Sequence, residues 1–284
     1  MTKIGVIVLN YNSSADCDKC IKYLKEQEEV ELDIIVVDNA SRTEEQQSIK
    51  RICEVHGCTF IQNNANNGYN SGNNVGLKYA ESKGYEYCLV ANPDMEFHQK
   101  DYIKKLAEIL AKDEKTVVAC SDIVTPKGIH QNPMKKEGNW TSCFSWVKGF
   151  FKKSNNTYEF IDDWEHSHEC FKVSGCAFLI KTSFLKEVNF FDEYPFLYCE
   201  EAILGKQVEQ KGCKMYYTAE SQAEHHHVAS AKGNPIPRFR QWNRSRVYYL
   251  KEYSGYPLIG KYISIVSMKL YVLIMLTFYK IKGY

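Results

Sequence analysis

Short apolar runs alternate with amphipathic charged stretches over the first 125 residues. Residues 4–9, 33–38, 59–62, 87–91 and 117–121 read as strands. Residues 16–26, 43–56, 70–82 and 100–112 read as the helices between them. Apolar, β-branched runs without polar alternation predict strands buried on both faces, and strands separated by helices predict parallel pairing. The expected fold class is α/β, a Rossmann-like, mainly parallel sheet sandwiched by helices. From 126 to 170 the periodicity is lost among Gly, Pro, Asn and aromatic residues, which predicts an ordered but irregular excursion, a candidate lid. Regularity returns as a strand over 171–181, a helical turn over 183–187, a helix over 200–211 and a strand over 214–218.

Each early strand runs into a polar cluster at its carboxyl end. These are Asn10-Tyr11-Asn12, Asp38-Asn39-Ala40-Ser41, Asn63-Asn64 and Asn92-Pro93-Asp94. Asn and Asp favour turns, so one cluster would mean little. Several on one rim predict a shared polar pocket where open α/β sheets bind ligands. The segment from Asn66 to Gly76 (NNGYNSGNNVG), including Asn67, Gly68 and Asn74, opens a helix. Such a loop serves to cradle a diphosphate on backbone amides or simply to accommodate positive φ. It is neither GxGxxG after the first strand nor GxxxxGK[ST], which argues against a dinucleotide dehydrogenase and a P-loop NTPase.

Three further groups carry candidate chemistry. Asn92 and Asp94 close a strand with hard oxygen donors suited to Mg²⁺ or Mn²⁺, or form a plain Asn-Pro-Asp turn. Glu200 and Glu201 open a helix, where carboxylates suit the macrodipole and where one can also act as a general base. In the run His225-His226-His227, an extended backbone puts His225 and His227 on one face and His226 on the other. Either of the former pair is a candidate metal ligand.

The composition is that of a globular protein, with 44% hydrophobic and 25% charged residues and a net charge of +1, so nothing global suggests nucleic acid. The charge is unevenly spread: from Ala231 onward ten Lys and Arg residues face Glu252 alone, leaving the preceding body net acidic. The eleven cysteines are scattered through strand-like and helix-like runs, and the first strand begins without an apolar leader. Both fit a cytoplasmic protein with buried thiols. Cys17 and Cys20 have CxxC spacing without a second such pair, a weak metal or redox signal.

Taken in order, VIVLNYN (6–12), IIVVDNAS (34–41), NNGYNSGNNVG (66–76), ANPDMEF (91–97), VSGCAFLIK (173–181), FDEYPFLYCEE (191–201) and HHHVAS (225–230) resemble the family 2 glycosyltransferases. The closest likeness is to rhamnosyltransferase-like members that build bacterial surface polysaccharides. The resemblance implies a GT-A fold over 1–230, with a nucleotide-sugar half (1–125) and an acceptor and catalytic half (126–230), followed by a C-terminal segment (231–284). It implies an inverting, Mn²⁺- or Mg²⁺-dependent transfer of one sugar from a UDP- or dTDP-sugar to a saccharide hydroxyl. Asp38 would hold the nucleobase beside Asn10, Tyr11 and Asn12, with Asn39, Asn67, Gly68, Asn74, Asn92 and Gly175 lining the donor. Asp94 would ligate the metal with Asn92, His225 and His227, and Glu201, beside Glu200, would be the base. The family often has Gly where Cys199 stands, Asp where Glu201 and Ile203 stand, and Arg near Gln207. A degenerate, non-catalytic binding module is therefore a second reading. A sugar nucleotidyltransferase would need a Gly- and Arg/Lys-rich loop after the first strand, which Asn10–Ser13 lacks. The absence of QxxRW favours single additions over processive synthesis. The apolar run 270–279 is too short to span a bilayer, and with its upstream arginines it reads as a segment lying against anionic lipid, near a lipid-linked acceptor. A peripheral location on the inner face of the cytoplasmic membrane follows, and a homodimer is left open.

Overall fold

Strands β1 (Lys3–Asn10) and β2 (Glu31–Asp38) run in parallel from the pair Lys3 and Glu31 to the pair Asn10 and Asp38. β3 (Thr59–Gln62) joins β2, and β4 (Tyr87–Ala91) joins β1, both in parallel. The computed structural model describes residues 3–147, 161–226 and 234–281. Side-chain alternation sends Ile4, Val6, Val8, Ile34 and Val36 to one face of the sheet. There they meet α1 (Ser14–Lys25), α2 (Thr43–His56) and α4 (Tyr102–Lys112) through Ile21, Leu24, Ile49, Ile103 and Leu106. Ile7, Leu9, Ile35 and Val37 face the other way, onto Leu77 and Ala80 of α3 (Tyr69–Ser82). Both faces are covered, which is why these strands carry no polar alternation.

The second half departs from the parallel expectation. β8 (Ala177–Lys181) is antiparallel to β4 and to β6 (Thr116–Val124), while β6 is parallel to β9 (Lys214–His225). β5 (Met95–Glu96) and β7 (His168–Cys170) add antiparallel to β9. The full order is β3-β2-β1-β4-β8-β6-β9-β5, with β7 beside β9.

Two expected strand limits change. The strand expected over 171–181 is only β8, which starts at Ala177; β7 ends before it, at Cys170 beside β9, and 171–176 form a break between the two. At that break Ser174 N donates to Asn132 Oδ1 (2.9 Å) and the Gly175 carbonyl accepts from the Tyr69 hydroxyl (2.5 Å). The strand expected to stop at Thr218 continues to His225. Ser121 pairs with Thr218 and Asp122 with Gln222, so residues 219–221 bulge out and the ladder resumes. Within the excursion from 126 to 170 that is the candidate lid, residues 140–142 form one 3₁₀ turn, and 148–160 lie outside the described residues.

Asn74, expected on the donor, is instead a structural staple. Buried on α3, it donates to Phe191 O (2.8 Å) and Glu193 Oε1 (2.9 Å) and accepts from Phe191 N (3.0 Å). All its hydrogen-bonding capacity is spent on the segment leading to Glu200.

After α5 (Thr182–Glu187) and α6 (Glu200–Gln210), the chain ends in α7 (Ile236–Glu252) and α8 (Leu258–Ile281). The ten-residue apolar run thus sits inside a 24-residue helix, about 36 Å long, which Lys261 and Lys269 do not interrupt. By length and composition that helix is sufficient to cross a membrane, so the expectation of a segment too short to span does not hold. Replacing Asn74 with Ala leaves the Phe191 amide and carbonyl without their side-chain partner. This should cost about 2–4 kcal/mol, read as a clear fall in thermal midpoint; weakened nucleotide-sugar binding at an unchanged midpoint would show instead that Asn74 contacts the donor.

Candidate active site

The carboxyl rim of β1 and β2 is a closed hydrogen-bond lattice. Asp38 is fully buried; its Oδ1 accepts from Asn10 Nδ2 (2.7 Å), and its Oδ2 from Ser41 N (3.1 Å) and Gln62 Nε2 (2.8 Å). Three protein donors therefore occupy the carboxylate expected to hold a nucleobase, and it shapes the loops on either side. Asn12, at φ +56°, donates its amide to Ser41 Oγ and accepts from the Arg42 amide (both 2.9 Å). Tyr11, between these pinned neighbours, is 53% exposed at the rim. Asn39 is buried, donating to Asn66 Oδ1 and Gly68 O and accepting from Asn63.

The glycine-rich loop does something other than offer free amides. Gly68 N donates to Asn66 Oδ1 (3.0 Å) and Tyr69 N to Phe196 O (2.9 Å), so neither is available to a diphosphate. Gly68 is required here for two reasons: its φ is +106°, and a Cβ would lie 2.4 Å from Phe196 O. Asn67 is exposed at the tip. The loop thereby clamps the 190s segment against the N-terminus of α3.

Asp94 and His225 come together at the end of β5. Met95 pairs with His225 across the two strands, and His226 N donates to Asp94 O (2.9 Å). The Asp94 carboxylate then lies 3.2 Å from His225 Nε2, with both side chains mostly shielded. His225 Nδ1 is held by Gln131 Oε1 at 2.7 Å. Burial opposes charge on His225, but the hydrogen bond to Asp94 and the neighbouring Cys176 outweigh it and raise the imidazole to about 10. A shielded carboxylate and an oriented imidazole form a donor set that suits Mn²⁺ better than Mg²⁺. Asn92 stands two residues before Asp94, its amide bonded to Cys176 O (2.7 Å). His227 lies outside the described residues.

Glu200 and Glu201 face a small, mainly apolar cavity with Tyr69, Gly175, Phe178, Phe191 and Leu204. Burial first, and then the Glu201 charge, push Glu200 up to about 8. Burial raises Glu201 too, against the pull of its own amide, of Lys172 and of the Gly175 amide. One Glu200 oxygen is enclosed and makes no hydrogen bond. The turn into this pair is strained: Tyr198 and Cys199 both hold positive φ, +74° and +69°. A glycine is the natural occupant of such a position, which accounts for the residue often found where Cys199 stands. Ile203 is also explained, because it is buried against Tyr249 and Leu250 of α7.

The two pairs meet through residues 174–176. Asn92 bonds Cys176 on one side of this segment. On the other, Tyr69 bonds Gly175, whose missing Cβ would lie 3.6 Å from Glu201 Oε1. Sequence reasoning missed Tyr69, Gln131, Asn132 and Lys172 as individual contributors. Tyr69 sits inside the glycine-rich motif and was visible there, but the others act through loop contacts without a local pattern.

Comparisons with known proteins bear on the family and the fold. The sequence profile of Glycosyl transferase family 2 matches residues 5–187. Over 200 residues, 70% of this chain, it is 26% identical to the low-salt glycan biosynthesis hexosyltransferase Agl10 of Haloferax volcanii, and it spans 59% of that protein's length. Over 236 residues it is 22% identical to the rhamnosyltransferase WbbL of Escherichia coli, covering 78% of this chain and 83% of the relative. Among solved structures, the mannosyltransferase PcManGT of Pyrobaculum calidifontis, in complex with GDP-Man and Mn²⁺, superposes with a TM-score of 0.60 at 14% identity. That match covers 95% of this chain and 69% of the other. S. aureus TarS 1–349 in complex with UDP-GlcNAc gives 0.58 at 17%, covering 94% and 72%. The fold is GT-A, and the chain belongs to glycosyl transferase family 2.

Proposed function

We propose that this protein is an inverting glycosyltransferase that moves one sugar from a UDP- or dTDP-sugar to a hydroxyl of a saccharide acceptor in the assembly of a bacterial surface polysaccharide. The observation that carries the reading is the joining of the Asp94–His225 pair to the Glu200–Glu201 pair through residues 174–176. Tyr11 offers an exposed ring for a base to stack on, and the Asp38 lattice fixes the loops beside it. Asp94 and His225, with Asn92 beside them, would hold a divalent ion, which would supply positive charge against the departing diphosphate. Glu201 takes the proton of the acceptor hydroxyl as that oxygen attacks the anomeric carbon from the face opposite the diphosphate. The bond from that carbon to the diphosphate breaks, its electron pair leaves with the phosphate, and the configuration inverts. Burial and the Glu201 charge raise Glu200, so the pair resists carrying two negative charges at once. The cavity's apolar walls exclude water from the base.

The same reading places α8 at a membrane surface. Gly260, Ser264 and Ser267 bury one side of the helix against the protein, with Ser267 Oγ bonded to Trp146 Nε1 (2.8 Å). Leu258, Ile259, Tyr262, Leu273 and Ile281 are exposed by 63% or more. A helix packed along one side against its own domain and apolar on the other lies in an interface, where the Arg and Lys residues of α7 add attraction to anionic headgroups. A lipid-linked acceptor would meet the site there.

Asp94→Asn and Glu201→Gln should each lower transfer by 100-fold or more. Glu201→Gln should keep donor affinity, and full turnover by that variant removes Glu201 as the base. The raised carboxyls set the pH dependence. A base whose proton is held above the ordinary glutamate range loses activity as pH falls through that raised value, so kcat/KM should decline well before pH 5, and a flat profile to pH 5 contradicts the assignment. The same shift bears on stability. The folded chain keeps a Glu200 proton that the unfolded chain releases above about 4.5, so stability is lost as pH rises from there towards about 8. Glu200→Gln should therefore melt higher than the parent at pH 8, with the gap narrowing towards pH 4.5. Sedimentation with vesicles should retain the full chain on anionic lipid at low salt and release it as salt rises, and equal binding to neutral vesicles overturns the electrostatic part of this reading.

A further inference from the structure

The two strands that bring Asp94 to His225 carry a second group of ligand atoms on their opposite face. Glu96 pairs directly with Glu224, so these side chains share a face, and His226 shares it by alternation while Met95 and His225 point the other way. His98 follows two residues after Glu96. The Oε2 atoms of Glu96 and Glu224 stand 3.4 and 3.3 Å from His98 Nε2. Their Oε1 atoms stand 3.5 and 3.4 Å from His226 Nε2. Two carboxylates are thus flanked by two imidazoles, and no Lys or Arg pairs with either Glu among the described residues.

The spacing separates this cluster from ordinary ion pairs. Among the described residues elsewhere, histidine closes on carboxylate to 2.8 Å (His56 with Asp18, His130 with Asp122), 2.9 Å (His166 with Asp163) and 3.2 Å (His225 with Asp94). The first three lie in the usual range for a charge-assisted hydrogen bond. Here four contacts all stop at 3.3–3.5 Å. The His226 Nε2 atom is shielded from solvent yet makes no hydrogen bond. A tetrahedral ion with ligands about 2.0–2.1 Å away holds those ligand atoms about 3.3–3.4 Å apart. One ligand atom each from Glu96, His98 and Glu224 lies within 4.8 Å of the others. Tyr23, from α1, donates to Glu96 Oε2 (3.0 Å) and sets its ring edge-on to His98, orienting both.

We propose that Glu96, His98 and Glu224 form a second divalent-metal site, backed by His226 and distinct from the Asp94–His225 pair. The mixture of imidazole and carboxylate selects Zn²⁺ over Mg²⁺ or Ca²⁺. Its role is structural: β5 is held to β9 by only two residue pairs, and an ion bonded to both strands rivets them one rung along the ladder from the Met95–His225 pair.

The test is isothermal titration of the untagged, chelator-treated full chain with Zn²⁺. The His98→Ala/Glu224→Gln variant should lose one equivalent relative to the parent, while Asp94→Asn should keep that equivalent. The cysteines are common to all three chains and cancel. Equal stoichiometry and affinity in the parent and the double variant overturn the site, as does loss of the same single equivalent in the double variant and in Asp94→Asn. Should the double variant fail to fold, anomalous scattering from Zn²⁺-soaked parent crystals decides: a peak among Glu96, His98 and Glu224 supports the site, and its absence there overturns it. Failure of the transfer reaction in Asp94→Asn would leave this outcome unchanged.

Discussion

The pairing of two residues of β5 with the far end of β9 is the constraint on which the site depends. It places a carboxylate from one βα loop beside an imidazole 131 positions later, and it holds only because β9 carries the bulge at 219–221. Were residues 219–221 paired in register with β6 instead of looped out, the ladder would carry His225 three positions further, past the Asp94 turn. A bulge lets one strand satisfy two registers, pairing with β6 along its length and with β5 at its tip. The late start of β8 has the same logic. A strand running from 171 would have kept Ser174, Gly175 and Cys176 in a ladder, whereas its start at Ala177 leaves their backbone to Tyr69, Asn132 and Asn92. The chemistry occupies the places where regular pairing stops.

The carboxylate pair is costly to the fold. Two glutamates in an apolar cavity resist ionisation, and the preceding turn holds two non-glycine residues in the left-handed region. Such a pair stays in place only if its surroundings are over-determined. Asn74 fixes Phe191 and Glu193, Gly68 fixes Phe196, and Asp192 accepts hydrogen bonds from both Tyr248 and Tyr253 at 2.6 Å. Much of the conserved-looking polar motif therefore works on protein rather than on substrate. Its asparagines and glycines are supports that fix the loops around Glu200 and Glu201, the residues proposed to meet the acceptor.

The difference between support and contact is what the sequence could not convey. Strand and helix positions were legible in the first 125 residues because both sheet faces are buried and each apolar run is bounded by turn residues. The clusters at Asn10, Asp38, Asn63 and Asn92 were likewise legible as one rim, since parallel strands share their carboxyl end. Asn74 and Asp38 could not be sorted from ligand-facing residues, because an asparagine that staples a loop and one that binds a sugar have the same local pattern. The antiparallel insertion of β8, the bulge in β9 and the length of α8 were hidden for a related reason. Each is decided by contacts with residues more than a dozen positions away, and the lysines in α8 masked an otherwise continuous helix.

The substitution at Ile203 links the catalytic helix to the C-terminal segment. An acidic residue there would face Tyr249 and Leu250, both buried, and would meet the desolvation penalty without a partner. Ile203 instead makes α6 and α7 one apolar unit, reinforced by Ser245 Oγ bonding Leu197 O (2.7 Å) and by Tyr248 stacked on Tyr194 at 3.9 Å. α7 is therefore packed against the elements that hold Glu200 and Glu201, and α8 packs on α7 through Phe239, Trp242 and Tyr271. A surface that holds α8 also fixes the orientation of the carboxylate pair relative to that surface. On the proposed reading, an acceptor hydroxyl presented from a lipid would have a defined height at which to meet Glu201, because the same packed unit sets both positions.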